Sequence, residues 1–224
     1  MNILLVGAGA VGQVYGRHLA RAGHRITFFV KEKHVAALAG GLPLHRLGHL
    51  RTQHEVWSDY AIISAVEEVA ATAWDQVWLC MPSDALRSAL SQQVIAAVGD
   101  ATVISLPPGP EDMALVRAHL PSQATLVQGL ITFISYQSPL PGHEGPEGIA
   151  YFLSPLAPGM FGGPHRAVQG VIAALQAGGM GAREVADLEG ASAGSEAVMQ
   201  PLIAALEQHN WKLTGLSSSP LLAL

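Results

Sequence analysis

Three glycines near the start of this 224-residue chain are the first residues whose spacing suggests chemistry. In "NILLVGAGAVGQVYG", Gly7, Gly9 and Gly12 stand as G-x-G-x-x-G between an aliphatic run and a sequence with helical periodicity. In that context each glycine has its own task. Gly7 permits a tight turn, Gly9 lets backbone approach a pyrophosphate, and Gly12 lets the helix lie close to the strand. The free N–H groups and the positive end of the helix dipole then face the anion. The cradle predicted this way is Gly7, Ala8, Gly9, Ala10, Val11 and Gly12. A glycine-rich turn without a ligand needs one glycine, not three at these offsets.

The end of the next apolar run bears on which dinucleotide is held. A chain that binds NAD carries Asp or Glu there, accepting from the ribose 2′-hydroxyl. Here the run ends "FFVKEKH", with Val30 in the acid's place and Lys31 and Lys33 after it. A lysine attracts a 2′-phosphate and a carboxylate repels it, so NADP(H) is favoured and Lys31 is its contact. Glu32, an acid displaced by a residue or two, keeps NAD(H) as the alternative. A solvated surface lysine is the plain alternative for Lys31.

Other reactive side chains carry weaker signals. His45, His49 and His54 are spaced by four and five. Pro43 and Gly48 argue against a helix that would align them as metal ligands, so a polar surface loop or hairpin is expected, with no metal. Cys80 lies in the apolar run "VWLCM" and reads as a buried core thiol. Ser135 and Tyr136 follow a strand at what would be its ligand edge, where they could line a substrate pocket or sit in an ordinary loop.

These residues need elements to position them. Apolar runs "NILLV", "RITFFV", "QVWLCM", "TVISL" and "ATLVQGL" read as strands. Amphipathic stretches read as helices: "GQVYGRHLARAG", "EKHVAALAGG", a stretch from Ser83 as N-cap through Val98, and "EDMALVRAHL". That alternation predicts an α/β fold with a doubly wound, mostly parallel, Rossmann-like sheet. Leu42–Trp57 is irregular. Pro139–Pro146 is a loop, "GIAYFLS" and "MFGG" are short extra strands, "HRAVQGVIAALQAGG" is a helix and "AREVAD" a last strand. From Ala191 the pattern is helical, strongest in "SEAVMQPLIAALEQHNW". The expected division is a nucleotide-binding domain at 1–187 and the start of a helical substrate or dimerisation domain at 188–224. The final apolar "SSSPLLAL" has no partner in sequence, which suggests a fragment of a longer chain and pairing into a homodimer.

Composition narrows the function classes. Lys and Arg number 12 against 17 Asp and Glu, a formal charge of −5, so a nucleic-acid partner is not expected. No stretch reaches the ~20 apolar residues of a membrane span, and the N-terminus lacks a signal peptide's basic region. One cysteine excludes an internal disulfide and fits a reducing compartment. A soluble cytoplasmic protein is expected.

The opening "MNILLVGAGAVGQVYGRHLARAGHRITFFVK" resembles the ketopantoate reductase (2-dehydropantoate 2-reductase) family, with its GxGxxG, its "GH" before the second strand and a basic residue, here Lys31, after it. Order and spacing of elements follow that family to about residue 210. The resemblance implies an NADPH-dependent oxidoreductase delivering hydride to a small 2-keto acid, with Met81, Pro82 and Pro108 beside the cofactor. It also implies a lysine that protonates the ketone oxygen, on the first long helix of the second domain. That position falls near Ser192 in "EGASAGSEAVMQP". The family's asparagine after the fourth strand becomes Pro108, the lysine after the third becomes Pro82, and a later substrate-binding acid lies beyond Leu224. Ser192, Ser195 and Glu196 remain as catalytic candidates, with helix cap and solvated charge as their plain alternatives. An NADP-binding sensor or assembly protein without this catalysis, or a different hydroxyacid-type dehydrogenase, are the other readings.

Overall fold

The computed structural model describes residues 1–48, 51–107, 109–188, 190, 191, 193, 204 and 205. The chain divides into two compact units, Met1–Ala186 and Asp187–Leu224. In the second unit the Gly190 N–H donates to Asp187 Oδ1 at 2.8 Å where a helical stretch starts. The sequence "SEAVMQPLIAALEQHNW" lies outside the described residues, apart from helical Ala204 and Ala205.

The first unit runs β1 (Asn2–Val6), α1 (Ala10–Arg21), β2 (Arg25–Phe29), a single 3-10 turn (Glu32–His34), α2 (Val35–Leu38), β3 (Leu42–Arg46), β4 (Gln53–Trp57) and β5 (Ala61–Ile63). It continues α3 (Val66–Ala70), β6 (Gln76–Leu79), α4 (Ser83–Leu86), α5 (Ala89–Ala96), β7 (Thr102–Ser105), α6 (Pro110–His119) and β8 (Thr125–Leu130). Last come β9 (Ile134–Ser138), β10 (Gly148–Phe152), β11 (Gly159–Gly162), α7 (His165–Ala177) and β12 (Ala182–Glu184).

Eight strands form one sheet in the order β12-β11-β8-β7-β6-β1-β2-β5, parallel except where β11 meets β8. The central strand shows why it forms. "NILLV" is buried on both faces, the signature of an interior parallel strand. Ile3 and Leu5 join a core with Val14 and Leu19 of α1 and Val171 and Leu175 of α7. Leu4 and Val6 point the other way, into a core with Val69, Ile95 and Val116 from the helices α3, α5 and α6. The fold is therefore the doubly wound, Rossmann-like α/β sheet expected from the sequence. Among the described residues no helix is long and apolar enough to cross a membrane.

Several local expectations are corrected. The irregular Leu42–Trp57 stretch contains an antiparallel pair, β3 with β4, within a second sheet ordered β4-β3-β10-β9. Strand β9 holds Ser135 and Tyr136, opposite Tyr151 and Ala150 of β10, so they are not loop residues. The expected helix from Ser83 to Val98 is broken. Ser83 is the first helical residue of α4, after Pro82, and no side chain caps it. Ser88 caps α5 instead, accepting from the Ser91 N–H at 3.3 Å. Strand β5 and helix α3 were not expected; at three and five residues they are too short to show a period.

Candidate functional site

The chain leaves β1 toward β2 on one side and returns to β6 on the other, and both flank β1 in parallel register. This reversal opens a crevice at the C-terminal ends of the strands, where such sheets take ligands. Two backbone bonds hold its floor. The Gly7 N–H donates to Phe29 O and the Cys80 N–H to Val6 O, each at 3.0 Å.

A cavity of about 760 Å³ lies there. Val6, Gly7, Ala8 and Gly9 form its floor, and Val30, Lys31 and His34 its wall after β2. Met81, Ala85, Leu90 and Ser91 line the β6 side, while Pro43, Gln137, Glu147, Gly148 and Ile149 close it from the second sheet.

Two of the three glycines are fixed by the protein's own packing. Gly7 has φ +106, and a Cβ on it would lie 3.2 Å from the Cys80 carbonyl oxygen. A Cβ on Gly12 would lie 2.1 Å from Gly7 O, so only glycine lets α1 start against that turn. Gly9 has an ordinary φ of −74, and a Cβ there would meet no protein atom within 4 Å. The fold does not demand a glycine at position 9, which faces open space. Gly9 is the N-cap of α1 with no side chain capping it, and the first N–H groups of a helix have no partner inside it. Gln13, which also lines the cavity, donates from Nε2 to Ala8 O at 2.8 Å and ties the turn to α1.

Lys31 is exposed and on the cavity wall. Glu32, next in sequence, is turned toward the end of β5, where its Oε2 accepts from Ser64 Oγ at 2.5 Å, and it is absent from the lining. His34 joins Lys31 because the turn is tight: its N–H donates to Lys31 O at 2.8 Å.

The remaining predicted residues fall as follows. Ala10, Val11 and Gly12 form the first turn of α1 behind the lining, and Pro82 is the N-cap of α4, also off it. Pro108, Ser192, Ser195 and Glu196 lie outside the described residues. Ser135 and Tyr136 do not line the cavity; their neighbour Gln137 does. The Cys80 thiol is pushed far above its ordinary range by burial, which suits a packing role beside Gly12 and not a nucleophile.

The loops around the cavity are pinned by charge. Asp112 of α6, almost fully buried, accepts from Ser83 Oγ at 2.6 Å and from Arg87 Nη1 at 2.7 Å. Burial alone would raise its pKa, but these two partners and the Arg87 charge hold the carboxyl below its usual value. The turn after β6, with Met81, is thereby tied to the helix after β7.

The whole wall from the second sheet escaped the sequence reading. Its signal was Gly148, at φ +135 beside Pro43, where a Cβ would stand 2.4 Å from Pro43 O. A glycine opening a strand marks such a close approach. His45 holds this wall too. The expectation of a polar surface position fails for it: His45 is buried, and its Nε2 lies 2.9 Å from Glu147 O. An Nε2–H there leaves Nδ1 to accept from His54 Nδ1, also at 2.9 Å. His49 lies outside the described residues. Among the described residues no group of three or more His, Cys, Asp or Glu is placed to hold a metal.

Fold and crevice place the molecule among doubly wound, Rossmann-like α/β proteins. More narrowly, the model of the family described as ketopantoate reductase PanE/ApbA matches residues 3–145, and the chain belongs to that family of oxidoreductases. Among curated proteins none gives a significant match. Solved structures share the fold at low identity. A D-mandelate dehydrogenase with NADH and anilino(oxo)acetate superposes with a TM-score of 0.74 at 18% identity, over 97% of this chain and 69% of that one. The 2-dehydropantoate 2-reductase of Geobacter metallireducens GS-15 gives 0.66 at 19%, over 92% and 66%. The probable 2-dehydropantoate 2-reductase of Bacillus subtilis gives 0.70 at 13%, over 98% and 70%. The chain spans about two thirds of the length of these structures.

Proposed function

We propose that the chain binds NADP(H) and reduces the ketone of a small 2-keto acid. One observation carries the reading: Gly9 is needed by no protein contact, yet it fronts a 760 Å³ cavity at the sheet's reversal point. A group with a pyrophosphate fits that cradle, because the uncapped start of α1 offers N–H donors and a positive dipole end. Lys31 and His34 on the wall suit a 2′-phosphate, and Glu32, engaged by Ser64, does not oppose it. The bound dinucleotide supplies a hydride to the carbonyl carbon. The chain's own work is to hold phosphates at Gly7–Gly9, to pin the Met81 turn through Asp112, and to place a proton donor near the ketone oxygen.

For that donor, Ser192, Ser195 and Glu196 are the candidates, within a proposed helical substrate or dimerisation domain at 188–224. A general acid stabilises the negative charge that develops on oxygen as hydride arrives. The test is oxidation of NADPH at 340 nm with ketopantoate and a panel of aliphatic and aryl 2-keto acids. Turnover of at least one, reduced in Glu196→Gln or Ser192→Ala, supports the reading. A second reading is favoured by Pro82, Pro108 and Ser192, which replace three polar groups of the family: an NADP-binding protein without this reaction. Tight NADPH binding with no turnover of any panel member selects it.

A further inference from the structure

At the opposite end of β3 and β10 from the cofactor cavity lies a second pocket, of about 310 Å³. The cavity takes the first residues of these strands, Pro43 and Gly148, and the second pocket takes Arg46 and Phe152 at their ends. Three residue steps of strand separate the nearest lining residues, Pro43 from Arg46 and Ile149 from Phe152, roughly 10 Å at 3.3 Å per residue. Arg46, Arg51 and Gln53 are the polar side chains lining this pocket, and no carboxylate lines it among the described residues.

The surrounding charge is unusual for a chain of formal charge −5. The register places Arg46 opposite Gln53, and Leu44 opposite Glu55, on one face of the second sheet. Glu55 is the carboxylate of that face, and both its oxygens are taken. Arg17 donates to Oε2 from Nε and Nη2 at 2.9 and 2.8 Å, and Arg21 donates to Oε1 at 2.7 Å. Burial works against the Glu55 charge, but these two arginines prevail and hold its pKa below the usual value. Arg46 and Arg51 have no ion-pair partner among the described residues. Arg46 is also half-buried, where an unpaired guanidinium is costly. The pocket's own lining thus carries two guanidinium charges, those of Arg46 and Arg51, with no carboxylate beside them among the described residues.

We infer that this pocket is a binding site for a small molecule carrying a phosphate group, distinct from the cofactor cavity. Two guanidinium forks and an amide donor match tetrahedral oxygens, and a phosphate supplies the negative charge that Glu55, engaged by Arg17 and Arg21, does not. The volume admits a phosphate with a short organic body. The inference does not depend on the cofactor reading, because the two sites share no lining residue.

The experiment is calorimetric titration of the full chain at fixed ionic strength with inorganic phosphate, glycerol 3-phosphate and succinate. It is repeated on Arg51→Ala, an exposed position that leaves the core intact, and on Arg46→Gln. Phosphate binding at the glycine turn is common to all three proteins and cancels in the comparison. The expected result is saturable binding of both phosphate probes to the parent, weakened roughly tenfold or more in Arg51→Ala, the scale of a lost charge-assisted bond. A glycerol 3-phosphate preference points to an organic phosphate, and equal affinities point to the free ion; both support the site. Equal binding by Arg51→Ala and the parent overturns it, as does succinate binding as well as phosphate. Arg46→Gln should show the same loss while keeping its melting temperature within a few degrees.

Discussion

Exchanging Gly9 and Gly12 separately for alanine should split folding from binding. A Cβ at Gly12 would sit 2.1 Å from Gly7 O, where an ordinary carbon–oxygen contact is about 3.3 Å. The start of α1 must then retreat by roughly 1 Å. Overpacking of that kind costs about 1–3 kcal/mol, or about 2–12 °C in Tm at ~2–4 °C per kcal/mol for a chain of this size. Gly9→Ala meets nothing within 4 Å and keeps an allowed φ of −74. Its Tm should stay within about 2 °C, since such a change costs at most ~0.5 kcal/mol. Yet its methyl projects toward the space proposed for pyrophosphate, so NADPH affinity should fall ten- to a hundredfold, about 1.4–2.8 kcal/mol. Thermal melting of each variant, with and without NADPH, and a titration of NADPH fluorescence read both quantities. An unchanged NADPH affinity in Gly9→Ala refutes the cradle. A Gly12→Ala protein that melts with the parent refutes the close helix–turn packing.

Two further predictions concern charge. Lys31→Glu should reverse the preference between NADPH and NADH with little change in Tm, because the side chain is exposed on the cavity wall; an unaltered ratio of the two affinities contradicts its role. His18, buried in α1 with Nδ1 2.8 Å from Gly178 O, has its pKa lowered by burial to about 4. The unfolded chain binds this proton near pH 6.5 and the folded one only near 4, so stability should fall with acidification across that window, by up to roughly 3 kcal/mol. Urea melts at pH 7 and pH 4.5 measure it, and a His18→Asn variant that keeps the same pH slope removes His18 as the cause.

The sheet was legible because its interior strands are continuous apolar runs and helices α1 and α7 stop at glycines, Gly23 and Gly178. "NILLV" and "TVISL" need no partner to be recognised. The second sheet was not legible, since β3 and β4 mix polar and apolar residues and β3 joins β10 through pairs remote in sequence, such as Leu44 with Ile149. The glycine turn could be read locally because backbone geometry dictates Gly7 and Gly12. The opposite wall could not, because Gln137 and Glu147 reach the cavity only through the pairing of β9, β10 and β3. Glu32 shows the same limit: in sequence it rivals Lys31, and Ser64, 32 residues away, turns it aside.

The central claim is that the Gly7–Gly12 turn and Lys31 together hold NADP(H). Parallel titrations of the chain with NADPH and NADH, followed by nicotinamide fluorescence, test it most directly. Saturable NADPH binding at micromolar concentration and weaker binding of NADH are expected. Failure of both to bind below millimolar concentration, or tighter binding of NADH, contradicts it.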